Sequence, residues 1–246
     1  MQKTITRIHD FKLPTAILGA CLLQDHRELI AACLDGIYRV ELDTKKHQRI
    51  GGHDSYVSSA VYIPEQQTFI TAGYDGKLKW FSAQDNSLLR EEKVHAFWSW
   101  DMALSADQRW LASVTGQYLA GDYKYSPAQE TEASVKILDA TDGKLVHALR
   151  HVPSVQSVAF SADGSLLAAG NTGTEVRVYE TASGKKKATL SGHAGSVFAL
   201  KFSPDGKRLY TAGFEGIIRV FDPVSGRLQA IFYPVPLTPV RQTAQN

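Results

Sequence analysis

The sequence predicts an all-β fold built from five four-stranded antiparallel units, on three observations. A segment of roughly 40 residues recurs along the 246-residue chain, a period that marks stacked repeats. Each copy breaks into four short apolar runs bounded by turn residues, the pattern of strands in a meander. Little of the chain carries the apolar periodicity of amphipathic helices.

The clearest copy runs from Gly192 to Phe232. Its apolar runs are Val197 to Phe202, Leu209 to Ala212, Ile217 to Phe221 and Leu228 to Phe232, termed strands a, b, c and d. Ser203-Pro204-Asp205-Gly206 separates a from b, and Pro223-Val224-Ser225-Gly226 separates c from d; proline and glycine supply the dihedrals of tight turns. Aligning the other copies puts Leu13, His53, His95, His151 and His193 in one column, with steps of 40, 42, 56 and 42 residues. The remaining c strands are expected at Tyr38 to Leu42, Leu78 to Phe81, Val135 to Leu138 and Val176 to Tyr179. One unit cannot bury both of its faces, so the units must stack; radial stacking into a propeller hides most sheet edges, and a linear β-solenoid is the alternative. The expected organisation is a five-repeat unit over residues 1–233, with repeats at about 11–50, 51–93, 94–149, 150–190 and 191–233. A Pro-containing tail, 234–246, cannot enter a central strand.

Composition narrows the function classes. With 43% hydrophobic and 21% charged residues the chain can bury a core. Its net charge of +2 gives no general attraction to nucleic acid or to a membrane surface. The start, MQKTITRIHDFKLP, has no apolar stretch of the kind a secretory signal needs, and no apolar run approaches the roughly 18 residues of a membrane helix. Cys21 and Cys33 lack metal-binding or redox spacing and read as reduced thiols. These features suggest a cytoplasmic protein.

The repeats resemble the WD40 family. Gly52-His53, Thr71, Asp75 and Phe81 in the second copy, and Gly192-His193, Thr211, Glu215 and Phe221 in the fifth, stand where that family places a hydrogen-bonded histidine, hydroxyl, acid and tryptophan. The resemblance implies a WD40-type β-propeller of five four-stranded antiparallel blades, in which the acid holds the histidine and the histidine holds the hydroxyl. Phenylalanine in place of tryptophan removes the indole donor, and Glu215 lengthens the acid by one methylene. The third and fourth copies keep His95 and His151 but carry Leu138 and Tyr179 at the aromatic position, and the first keeps only Asp35. The wording of the repeats is similar to bacterial members of the family. Family propellers usually close with seven blades, so five leave three arrangements open: a small closed ring, a segment of a larger propeller, or completion between copies. Residues Lys3 to Ile8 resemble an extra d strand.

Enzymatic, metal and cofactor readings have no support in the sequence. GxSxG, HExxH and P-loop patterns are absent. One histidine per blade at equal radius keeps those imidazoles too far apart to share a zinc ion. The expected function is therefore a non-catalytic interaction scaffold with a protein partner. Loops d-to-a and b-to-c open on one face, here called the top. The third copy's b-to-c loop, Gly116 to Ala133, is its one large irregularity. Tyr56, Phe97, Trp98, Trp100, Tyr118, Tyr123 and Tyr125 all belong to top-face segments of the second and third repeats. Such aromatics serve either as interface anchors or as a satellite core beneath the loop. Two alternatives stand beside this one. The chain is a structural subunit that self-associates or completes a larger propeller, or it binds phosphate or nucleic acid through basic bottom turns. Those turns hold Lys45, Lys46, Arg109, Lys144, Lys185, Lys186, Lys187, Lys207, Arg208 and Arg227. Asp107, Asp142, Asp163 and Asp205 lie among these cations and weigh against the nucleic-acid reading.

Overall fold

Each repeat folds into strands that pair antiparallel with their chain neighbours. The first blade is Ile17–Leu22 (β1), Glu28–Cys33 (β2), Gly36–Glu41 (β3) and His47–Gly51 (β4). The second is Val57–Ile63 (β5), Thr68–Gly73 (β6), Lys77–Ser82 (β7) and Leu88–Lys93 (β8). The third opens with Ser99–Leu104 (β9) and Trp110–Thr115 (β10). Within its long loop Tyr118–Leu119 (β11) pairs with Ser126–Pro127 (β12), and the blade resumes with Val135–Asp139 (β13) and Leu145–Leu149 (β14). The fourth is Val155–Phe160 (β15), Leu166–Asn171 (β16), Val176–Glu180 (β17) and Lys186–Leu190 (β18). The fifth is Val197–Phe202 (β19), Leu209–Gly213 (β20), Ile218–Phe221 (β21) and Leu228–Phe232 (β22). The computed structural model describes residues 12–234 apart from 25, 117, 120–125, 128–132 and 152–153. The expected strand Lys3 to Ile8 lies outside the described residues.

The turns follow from their side chains. Between a and b of the last three blades, Ser105, Ser161 and Ser203 each donate to the aspartate two residues on, at 2.5 Å. The same hydroxyls accept from the amides of Trp110, Leu166 and Arg208. In the second blade Pro64–Gln66 replaces that turn with a single 3-10 turn, ended by Gln67 in the left-handed region. Every innermost strand also carries a register shift near its start, between Ile17 and Gly19, Val57 and Ser59, Val155 and Ser157, and Val197 and Ala199, and opposite Val114 and Thr115 in β9. A bulge at one column re-aims one side chain per blade: Leu18, Ser58, Trp100, Gln156 and Phe198.

The core lies in the seams between blades. Ile30, Ala32 and Ile37 meet Val57, Phe69 and Phe81 at the first seam. Ile70, Leu78 and Trp80 meet Met102, Leu111 and Leu138 at the second. Val135 and Ile137 meet Val155, Leu167 and Tyr179 at the third, and Val176, Val178 and Leu190 meet Phe202, Leu209 and Phe221 at the fourth. Neighbouring Trp80 and Phe81 illustrate the two-residue strand period: Trp80 faces the third blade, while Phe81 stacks on Phe69 with ring centroids 5.1 Å apart. The innermost strands pack in series, β1 on β5, β5 on β9, β9 on β15 and β15 on β19. Among the described residues no comparable packing joins β19 back to β1.

Candidate interaction surface

The top-face loops are fixed by clips that act within a single repeat. In the second blade His53 Nδ1 lies 2.9 Å from an Asp75 carboxylate oxygen, and His53 Nε2 lies 2.9 Å from the Thr71 hydroxyl. Asp75 also accepts from the amides of Asp54 and Lys77 at 3.0 Å each. Burial pushes the Asp75 carboxyl up, but the imidazole and those two amides outweigh it and hold the group down at about 2. The fifth blade repeats the clip, with His193 2.7 Å from both Glu215 and Thr211. Here Arg219 also reaches Glu215, so the longer acid is held from two sides. Phe81 and Phe221 close the sets by packing alone; the Phe221 ring lies 6.4 Å from that of His193.

The other blades depart as their sequences do. His95 reaches Ser113, which also meets Ser99, at 2.9 Å each, but among the described residues its Nδ1 has no partner. Burial, followed by the charges of Lys136 and Lys93, pushes this imidazole down to about 3, so it is neutral. His151 Nε2 sits 3.1 Å from the Ala169 carbonyl, because alanine stands where the hydroxyl would be. In the first blade Leu13 is buried in the histidine column, and Asp35 accepts instead from the Tyr38 hydroxyl at 2.8 Å.

Four of the top-face aromatics form one continuous shelf across the second and third blades. The Tyr74 and Trp98 rings stack with centroids 5.2 Å apart at 18°. Trp100 meets both edge-on, at 5.0 Å from Tyr74 and 5.5 Å from Trp98, and Tyr56 extends the row 5.6 Å beyond Tyr74. Tyr56, Phe97 and Trp98 are exposed, whereas Tyr74 and Trp100 are half-buried. The arrangement thus combines the two sequence readings, with a packed lower layer carrying an exposed upper one. Trp100 is pinned because its indole donates to the Gly116 carbonyl at 2.8 Å, and Ser154 of the fourth blade donates to the same oxygen at 2.9 Å. The loop bearing Phe97 and Trp98 is held by Gly76, whose carbonyl accepts from the amides of Val94 and His95. Gly76 has φ +72°, and a Cβ there would fall 2.3 Å from the His95 carbonyl oxygen. Tyr118 lies in the short β11–β12 ladder; Tyr123 and Tyr125 are outside the described residues.

Sequence reasoning missed Tyr74, the ring at the centre of the shelf, although its place beside Asp75 in a top-face turn marked it. It also missed Asp101. This carboxylate accepts from the amides of Met102 at 2.8 Å and Val158 at 3.2 Å and from the Ser59 hydroxyl at 3.2 Å, tying three blades together. Burial pushes it up to about 6 against those donors. Its position between an aromatic and Met102 on an innermost strand was the available signal.

The bottom face is of mixed charge. Lys144 pairs with Asp142 at 2.7 Å, and Lys187 lies 3.8 Å from Glu180. Between the fourth and fifth blades a shallow cavity is lined by Asp163, Asp205 and Asp222 beside Lys207. Among the described residues no group of histidine, cysteine, aspartate or glutamate is arranged to hold a metal ion, and no helix is long and apolar enough to cross a membrane.

Radially packed four-stranded blades with His–hydroxyl–acid clips define a β-propeller of the repeat type. Three segments, 44–82, 143–180 and 184–222, match the family described as WD domain, G-beta repeat, and the chain is a WD40-repeat protein. Each matched segment starts at or just before the outer strand of one blade and ends with the inner three of the next, so a family repeat spans a seam. Telomerase protein component 1 of Rattus norvegicus is 26% identical over 181 residues, covering 73% of this chain and 6% of that protein. Pre-mRNA-processing factor 19 of Mus musculus is 24% identical over 145 residues, 58% of this chain and 26% of that protein. The chain therefore spans only a small part of the length of the relatives it matches.

Proposed function

We propose that the protein is a non-catalytic interaction scaffold that captures a protein partner on the top-face shelf of its second and third blades. The observation carrying this reading is the exposed edge of a pinned aromatic stack, Tyr56 and Trp98 against Tyr74 and Trp100, with exposed Phe97 next to Trp98 in the chain. Large rings already held in place lose little freedom on binding, and tyrosine and tryptophan dominate interface energetics. The proposal extends to Tyr118, Tyr123 and Tyr125, which follow Gly116 in the sequence. Family membership supports a scaffold role, since WD40 proteins generally act without catalysis. The name of telomerase protein component 1 places that relative within an assembly.

The test compares partners recovered by the wild-type chain with those recovered by Phe97→Ala and Trp98→Ala, with Lys187→Glu and Lys207→Glu as bottom-face controls. A buried aromatic anchor is worth about 2 kcal/mol, roughly a 30-fold loss of affinity. The same partner should be lost by both aromatic variants and kept by both controls, with thermal unfolding unchanged. Retention by the aromatic variants and loss by the lysine variants would move the binding surface to the bottom face.

A further inference from the structure

The two ends of the blade series carry the two halves of a seam that the chain itself builds four times. On the fifth blade, residues in the columns that face a following blade are uncovered. Tyr210, Ala212 and Ile218 are half-buried where Ile70, Ala72 and Leu78 of the second blade are fully buried. Phe214 occupies the turn position of Tyr74 and is 80% exposed, because no described residue takes the place of Trp98 and Trp100 above it. Phe198, in the bulge column, is 52% exposed. The corresponding Ser58 donates across its seam to the Ser99 carbonyl at 2.7 Å.

The first blade shows the complementary lack. Ile17 stands in the column of Val57, Val155 and Val197, each wholly buried against the preceding blade, yet Ile17 is 45% exposed. Leu22, in the column of Phe160 and Phe202, is 47% exposed. The outer part of this face is already covered in the cluster of Leu13, Ala31, Cys33, Tyr38 and Val40, so the free part is its inner strand. That strand is the element through which neighbouring blades pack most closely inside the chain.

We propose that the fifth blade of one copy docks head to tail on the inner strand of the first blade of a second copy, reproducing the inner part of the internal seam between chains. The occupant follows from continuity. Every internal seam pairs a following-facing surface with a preceding-facing one, and among the described residues the fifth blade leaves the first kind exposed and the inner strand of the first blade leaves part of the second. Exposed Phe198, Phe214 and Phe232 are the large apolar side chains of the fifth blade that such a contact would cover, and exposed apolar surface marks association sites where it is contiguous. Lys201, the one charge in the fifth blade's seam column, can lay its stem along the partner strand and keep its ammonium in solvent. Such a contact is heterologous, and it yields a closed assembly or a growing series according to its rotation.

Light scattering on the full chain tests this. The wild type should exceed its 27.0 kDa monomer mass in steps of one chain. Phe198→Asp/Phe214→Asp should be monomeric, and so should Ile17→Asp/Leu22→Asp. An equimolar mixture of the two double variants retains one intact seam and should recover a dimer. Phe214→Ser alone, at a mostly solvated side chain, should weaken association at least tenfold and covers the case in which the aspartate variants unfold an end blade. A wild-type chain monomeric up to about 100 μM would overturn the proposal. So would variants that each stop association but fail to complement, the outcome expected if like faces pair.

Discussion

Replacing Asp75 by alanine removes the acid from the second blade's clip, and its cost follows from the geometry. The carboxylate accepts from His53 Nδ1 and from the amides of Asp54 and Lys77, all within 3.0 Å. Its descent from 3.8 to about 2 corresponds to about 2 kcal/mol of preference for the charged form in the folded chain. Alanine also leaves the wholly buried His53 ring with an unmet Nδ1, a loss of about 1–3 kcal/mol that overlaps the first. The expected destabilisation is therefore about 3 kcal/mol at neutral pH. Because the folded-state value is depressed, this stability is fully present above pH 4 and disappears as pH falls towards 2. The gap between wild type and variant should narrow over that window. Stability in repeat proteins is local, so hydrogen exchange at the Asp54 and Lys77 amides is the sharpest assay, with denaturant unfolding at pH 7 and pH 2.5 beside it. A loss below about 0.5 kcal/mol at pH 7, or an equal gap at both pH values, would refute the assignment of the clip's strength to the charged carboxylate.

Two further outcomes follow from buried groups elsewhere. Asp101 is raised to about 6, so the wild type should lose stability as pH rises from about 4 through 6. The melting temperature of Asp101→Asn should lack that downward slope, and persistence of the slope would assign it to another group. Gly76→Ala places a methyl group against the His95 carbonyl at a positive φ, which should cost at least about 2 kcal/mol. It should also raise the fluorescence response of Trp98 to quencher; an unperturbed melt would show that this turn is not the anchor of the Phe97–Trp98 loop.

Much of the fold is legible in the sequence, for an identifiable reason. The clips join residues 18 and 22 positions apart within one repeat, His53 to Thr71 and to Asp75, and His193 to Thr211 and to Glu215. A fixed offset inside a repeated unit shows as a column, and so do the Ser-x-Asp turns. Among the described residues the expected strands agree with those observed to within one or two residues at their ends. Tyr74 escaped because two of its three ring partners lie in another repeat: Trp98 and Trp100 are separated from it by β7, β8 and a loop, and their meeting depends on how two blades are angled. Asp101 escaped because a lone carboxylate in a strand reads the same whether it faces water or the interior. Its depth is set by Ser59 and Val158 from the blades on either side.

By itself the sequence determined what is periodic: five four-stranded units that must stack, the turns that join them and the column of histidines from which the clips follow by resemblance. Only the tertiary structure decided which aromatics stack, which carboxylate is drawn in between three blades and that, among the described residues, no packing comparable to the internal seams joins β19 back to β1. The reason is geometric. Strand, turn and clip are set by neighbours along the chain, whereas closure depends on the rotation added at each of four seams, a quantity fixed by side-chain packing and invisible in the pattern of any one repeat.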